Sequence, residues 1–198
     1  MLGSITPLGE RGRGSSWWVT VVAYVAGSVL AAAAVGTSVG WLGARLPGDP
    51  AVGPRLVLLG AVVAIGLVLD AGLFHGRLPT VHRQVDESWR TRYRGWVWGL
   101  GFGAELGVGV VTVVTTSTVY AAWLAAGLSG GAVAGAVIGA TFGVVRAAPV
   151  LSVAGVRRPD QLLRVDAVLA RWAAPARRAT YAAGALVASA ALLGAARW

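Results

Sequence analysis

Three ionisable side chains stand inside long apolar stretches, where a charge needs a reason: Asp70, Glu105 and Arg146. A charged group at bilayer depth costs at least about 2.5 kcal/mol, so such residues face a bundle interior or a wet cavity and take a partner, a proton or a solute. Glu105 is followed along its stretch by Thr112, Thr115, Thr116, Ser117 and Thr118, with Thr112, Thr115 and Thr116 on one side and Tyr120 nearby. These hydroxyls can bond back to their own helix carbonyls or extend the acid into a polar track. The chemistry open to this set is ion pairing and solute passage. No nucleophile–base pair, metal-ligand set or phosphate loop accompanies it, so the expectation is neither an enzyme nor a cofactor protein. His75 and His82 have no neighbouring cysteine and read as solvated loop residues.

The elements that must position these groups follow from composition. Of 198 residues 56% are hydrophobic and 13% charged, against about a quarter charged in soluble domains. The fold class is therefore an all-α integral membrane protein. Apolar windows long enough to cross the hydrocarbon core predict five spans, near 17–41, 56–75, 96–124, 132–152 and 179–196, after an N-terminal segment 1–16. The remainder, 17–198, is a single transmembrane domain. Trp17, Trp18, Trp41, Trp96, Trp98, Trp123 and Trp198 fall near the ends of these windows, where amphipathic rings prefer the interface. The opening "MLGSITPLGERGRGSS" holds no apolar core of a cleavable signal, so the first span is expected to be retained.

Arginine sets the orientation, since the chain contains no lysine. Arg11 and Arg13, the group from Arg77 to Arg94 and the group from Arg157 to Arg178 share one face. Arg45, Arg55 and Arg197 lie on the other. The positive-inside rule predicts N-in and C-out, in a cytoplasmic membrane. Abundant Ala, Gly, Val and Arg without lysine suggests a GC-rich bacterial source. The net charge of +9 is then mainly topological, and without a folded basic surface or motif a nucleic-acid partner is not expected. Anionic headgroups are the expected partners of the arginine-rich loop between spans two and three, where residues 85–93 form a candidate interfacial helix.

Glycines recur every fourth residue at Gly99, Gly103 and Gly107 and again at Gly131, Gly135, Gly139 and Gly143. That spacing puts each set on one helix face, where small residues let backbones approach closely. Spans three and four are expected to be neighbours joined by a tight turn around Leu128 to Gly131. Glu105 then lies about 13 Å and Arg146 about 9 Å from the cytoplasmic ends of their helices at 1.5 Å per residue, with Asp70 near the latter depth. A Glu105–Arg146 pair across the glycine contact is the expected arrangement; a structural ion pair and snorkelling of Asp70 and Arg146 are the alternatives.

The stretch "YRGWVWGLGFGAELGVGVVTVVTTSTVYAAWLAAGLSGGAVAGAVIGATFGVVRAAPVL" resembles the second half of the cytochrome c biogenesis and thiol–disulfide interchange transmembrane proteins of the CcdA and DsbD type. The likeness covers about the last two-thirds of the chain and rests on its Gly-Phe-Gly helix start, short outer turn and glycine-rich helix ending in Pro-Val-Leu. It implies the helical scaffold, with either a transport path or a partner subunit in place of the thiols. The family relays reducing equivalents through membrane cysteines, and this chain has none; Val111-Thr112-Val113-Val114-Thr115 stands where the family has a Pro-Cys element. Thiol relay by this chain is thereby excluded. Two function classes follow: a small transporter or accessory transport subunit working through Glu105 and Arg146, or a non-catalytic scaffold or partner subunit of a redox or cytochrome c biogenesis complex. Five spans without an internal repeat make a homo-oligomer or a membrane partner subunit plausible.

Overall fold

The computed structural model describes residues 5–12, 14–45, 51–72, 94–109 and 116–197. Among the described residues the chain is all-helical: α1 Pro7–Gly12, α2 Trp17–Gly43, α3 Val52–Asp70, α4 Gly95–Val108, α5 Thr118–Leu128, α6 Ala132–Ala147 continued by a 3-10 helix Ala148–Val153, and α7 Pro159–Ala195. Four helical stretches are long and apolar enough to cross a membrane, Trp17–Gly43, Val52–Asp70, Ala132–Val153 and Asp160–Ala195.

The long apolar window 96–124 is not one helix. It is divided between α4 and α5, with Gly109 closing α4 at a φ of 80°, a conformation that glycine adopts without steric cost. Between Gly109 and Ser117 the sequence holds only Val and Thr and no charge, so hydropathy alone reads straight across it. The window 179–196 is also only the latter part of α7, which begins at Pro159. Its first half is rich in Ala, Leu and Arg, good helix formers that are nonetheless too polar for a hydropathy window, and residues 166–180 are exposed throughout.

Helix α2 is the hub. A Cβ added at Gly99, Gly103 or Gly107 would run into the backbone carbonyls of Thr20, Tyr24 or Ser28, so α4 lies parallel to the first half of α2 with its glycine face against it. The same construction at Gly135, Gly139 and Gly143 meets the carbonyls of Gly36, Ala32 and Ser28, so α6 runs antiparallel on α2. The contact is reciprocal, because a Cβ at Gly36 would strike the Gly135 carbonyl. Both glycine faces are thus spent on α2, and spans three and four are neighbours chiefly through it. Gly131 differs from the others: a Cβ there meets open space, and its contribution is its carbonyl, which faces Gly40. Glycine disfavours an isolated helix by about 1 kcal/mol per residue; van der Waals packing and Cα–H···O contacts at this spacing compensate. Ser28, fully buried, donates its hydroxyl to the Gly143 carbonyl at 3.0 Å and fixes the register of α2 and α6.

Helix α5 continues along the second half of α2, where a Cβ at Gly43 would meet the Gly127 carbonyl. At 1.5 Å per residue α4 and α5 are about 21 and 16 Å long, together close to the about 40 Å of α2. Both lie along α2, α4 on its first half and α5 on its second. Helix α3 pairs antiparallel with the end of α7, through Leu67 on Gly184 and Leu192 on Gly60.

The segment before α2 is part of the bundle. Trp17 donates its indole N–H to the Ile5 carbonyl at 3.1 Å. Ile5, Trp17, Val21, Tyr24, Trp98, Ala147 and Val150 form one buried cluster at this end. Trp17 and Trp98 are therefore core residues rather than interfacial ones, and Trp123 packs on Phe142 with ring centroids 5.0 Å apart. Trp18 and Trp96 are exposed, as is Trp41, over which Arg45 lies at 3.8 Å. Thr112, Thr115, His75, His82, Trp198 and the candidate helix at 85–93 lie outside the described residues.

Candidate functional site at the break between two half-helices

Asp70 ends α3 and its carboxylate reaches the start of α5. The backbone N–H of Ser117 donates to both carboxylate oxygens, at 3.0 and 2.9 Å, and the Ser117 hydroxyl donates to Oδ2 at 2.8 Å. Ser117 is the N-cap of α5, yet its own side chain makes no capping bond. Asp70 takes over that task from another helix, setting a negative charge at the positive end of the α5 dipole. Gly66, one turn before Asp70, admits the Ser117 side chain where a Cβ would collide with it. The Tyr181 hydroxyl of α7 donates to the Asp70 backbone carbonyl at 2.8 Å. Three helices thus converge on one half-buried acid.

The opposite end of α5 receives the complementary charge. Arg55, near the start of α3, points a guanidinium nitrogen at the Leu128 carbonyl at 3.5 Å. The stretch from Arg55 to Asp70 spans about 22 Å at 1.5 Å per residue, enough to bracket α5 with an acid at its N-terminus and an arginine at its C-terminus.

The depth of this node follows from packing. Gly107 and Gly143 both lie on Ser28; Gly109 lies against Phe142 and Val119; Ser117 is half a turn before Val119. Asp70, Ser117, Gly107 and Gly143 therefore share the level of Ser28. That level is about 17 Å from Trp17 and about 22 Å from Gly43 along α2, close to its middle.

Helix α4 has an acid at its own start. Glu10 of α1 is fully buried, accepts the Thr20 hydroxyl at 2.9 Å and lies beside Gly95, the first residue of α4. Each half-helix thus begins against a carboxylate from elsewhere in the chain. Glu10, Ser117, Tyr181 and Arg55 escape a search for charges within apolar windows: Glu10 and Arg55 lie outside or at the edge of a window, and the other two are uncharged. A sequence signal for the break does exist, since between Gly109 and Ser117 stand only Val and Thr, β-branched residues of reduced helix propensity between a glycine and a capping serine.

The expected Glu105–Arg146 pair is not formed. Glu105 stands two residues from Gly103 and from Gly107, about 200° around the helix from each at 3.6 residues per turn. With those glycines on α2 the acid points away from the hub, half-buried. Among the described residues no hydrogen bond or ion pair reaches it. Arg146 lies 5.6 Å over the Phe142 ring and interacts electrostatically with Tyr24. Of the sequence-derived set the structure brings Asp70 and the hydroxyl run together, through Ser117 with Thr116 beside it, and separates Glu105 from Arg146. Among the described residues no cluster of three or more His, Cys, Asp or Glu could hold a metal ion. No protein-family model, curated protein or solved structure matches this chain.

Proposed function

We propose that the chain is a multi-pass cytoplasmic-membrane protein of bacterial origin, N-in and C-out, acting as a small transporter or accessory transport subunit. The working site in this reading is the Asp70–Ser117 node rather than a Glu105–Arg146 pair. The single observation that carries the proposal is the division of one apolar window into two short helices at the level of the middle of α2, with a carboxylate at the break. Half-helix ends at the bilayer middle are the means by which transporters present dipoles and polar groups to a solute, and irregular backbone at that depth is tolerated where protein buries it or water lines it. The scaffold in this reading is a cysteine-free relative of the CcdA and DsbD type, with a solute path where the family keeps thiols.

The absence of cysteine allows a clean test. Thr116→Cys, reconstituted in proteoliposomes, is expected to react with a membrane-impermeant thiol reagent added to either face. A cysteine there that reacts from neither face contradicts a solute path. The glycine-to-carbonyl clasp of α2 on two sides favours a second reading, a rigid non-catalytic scaffold or partner subunit, and an unreactive cysteine in folded protein is its expected result.

A further inference from the structure

At the Trp17 end of the bundle a cavity of about 240 Å³ is lined by residues from three separate segments, among them Arg11 of α1, Ser15, Ser16 and Trp18 at the start of α2, and Arg157 just before α7. Among the described residues neither Arg11 nor Arg157 makes an ion pair, whereas the adjacent Arg158 lies 3.8 Å from Asp160. The Ser16 hydroxyl occupies the N-cap of α2 without making a cap bond. The first hydrogen bond along α2 runs from the Thr20 amide to the Ser16 carbonyl, so the amides of Trp17, Trp18 and Val19 have no acceptor within their helix. Two arginines, two serines and a helix start thus line one cavity. We propose that this cavity binds the phosphate of an anionic lipid headgroup.

The chemistry and the location agree. Guanidinium forks match phosphate oxygens bidentately, and serine hydroxyls add neutral donors. Helix α2 is one of the stretches long and apolar enough to cross the membrane and begins at Trp17. Trp18, 61% exposed beside the cavity, is then at the height where amphipathic rings meet headgroups. A lipid phosphate is held at that height by its own acyl chains, whereas a free phosphate must be drawn from solution. This site is independent of the transport reading.

The test uses the full chain in neutral detergent, titrated with phosphatidylglycerol and followed by native mass spectrometry of the retained lipid. Arg11→Gln with Arg157→Gln is expected to weaken retention about 25-fold, from about 5-fold for each arginine. Ser15→Ala with Ser16→Ala is expected to weaken it less, and Arg164→Gln with Arg171→Gln, exposed on α7 away from the cavity, to leave it unchanged. Unaltered lipid-free melting temperatures show that the variants fold. Equal retention in the cavity and control variants overturns the site. Inorganic phosphate that stabilises the lipid-free protein and displaces phosphatidylglycerol overturns the lipid assignment in favour of a soluble anion.

Discussion

A carboxylate at the first turn of a half-helix meets unpaired amides and the positive end of a dipole, so Asp70 stabilises α5 by charge and by hydrogen bonding together. Hydrogen bonds to charged groups contribute about 1.5–3 kcal/mol. Asp70→Asn is expected to destabilise the protein by an amount in this range and Ser117→Ala by less. In a double-mutant cycle followed by thermal unfolding in detergent the two should couple by about 1 kcal/mol or more through the hydroxyl–carboxylate bond; additive effects would mean that this one bond contributes nothing. Glu105→Gln, in contrast, is expected not to lower the melting temperature, since no described residue is bonded to the acid it removes. All three intramembrane charges were legible in the sequence, because a charge in an apolar window is conspicuous. Their partners were not. Which residue meets Asp70 depends on where α5 begins, and that start is marked by an uncharged serine.

At the scale of elements, the glycine repeats carried most of the legible information. A four-residue spacing announces a close helix contact but not the partner, since α2 carries the matching repeat as Ser28, Ala32, Gly36 and Gly40, mixed small residues that a search for glycine alone passes over. Gly103→Leu and Gly139→Leu push a side chain into backbone on α2 and are each expected to abolish a monodisperse peak in size-exclusion chromatography. Gly155→Ala, where a Cβ meets open space, should elute as wild type. The N-terminal segment, read from the sequence as a simple cytoplasmic leader to the first span, is tied down by the Trp17–Ile5 bond and by buried Glu10. Trp17→Phe removes the bond and keeps an aromatic ring in the buried cluster, and faster tryptic cleavage at the exposed Arg11 is the expected outcome, because cleavage follows local opening. An unchanged rate would show that the bond does not hold the segment.

For the whole molecule, hydropathy found the apolar stretches and an all-helical bundle, because length and burial in lipid leave few alternatives. It could not find the break. A run of valine and threonine is as apolar to a sliding window as a helix is, and only its β-branching and its flanking glycine and serine distinguish it. Helices α4 and α5 lie one after the other along α2, with their junction at the level of its middle. The most direct measurement is bilayer depth. Nitroxide labels are placed singly at Thr118→Cys, in the first turn of α5, and at Leu30→Cys, exposed on α2, and their depths in liposomes are read from oxygen and polar-reagent accessibility. With the junction at that level, the two depths are expected to agree within about one helical turn, or 5.4 Å. A label at Thr118 lying at the membrane surface, with Leu30 at mid-depth, would contradict it.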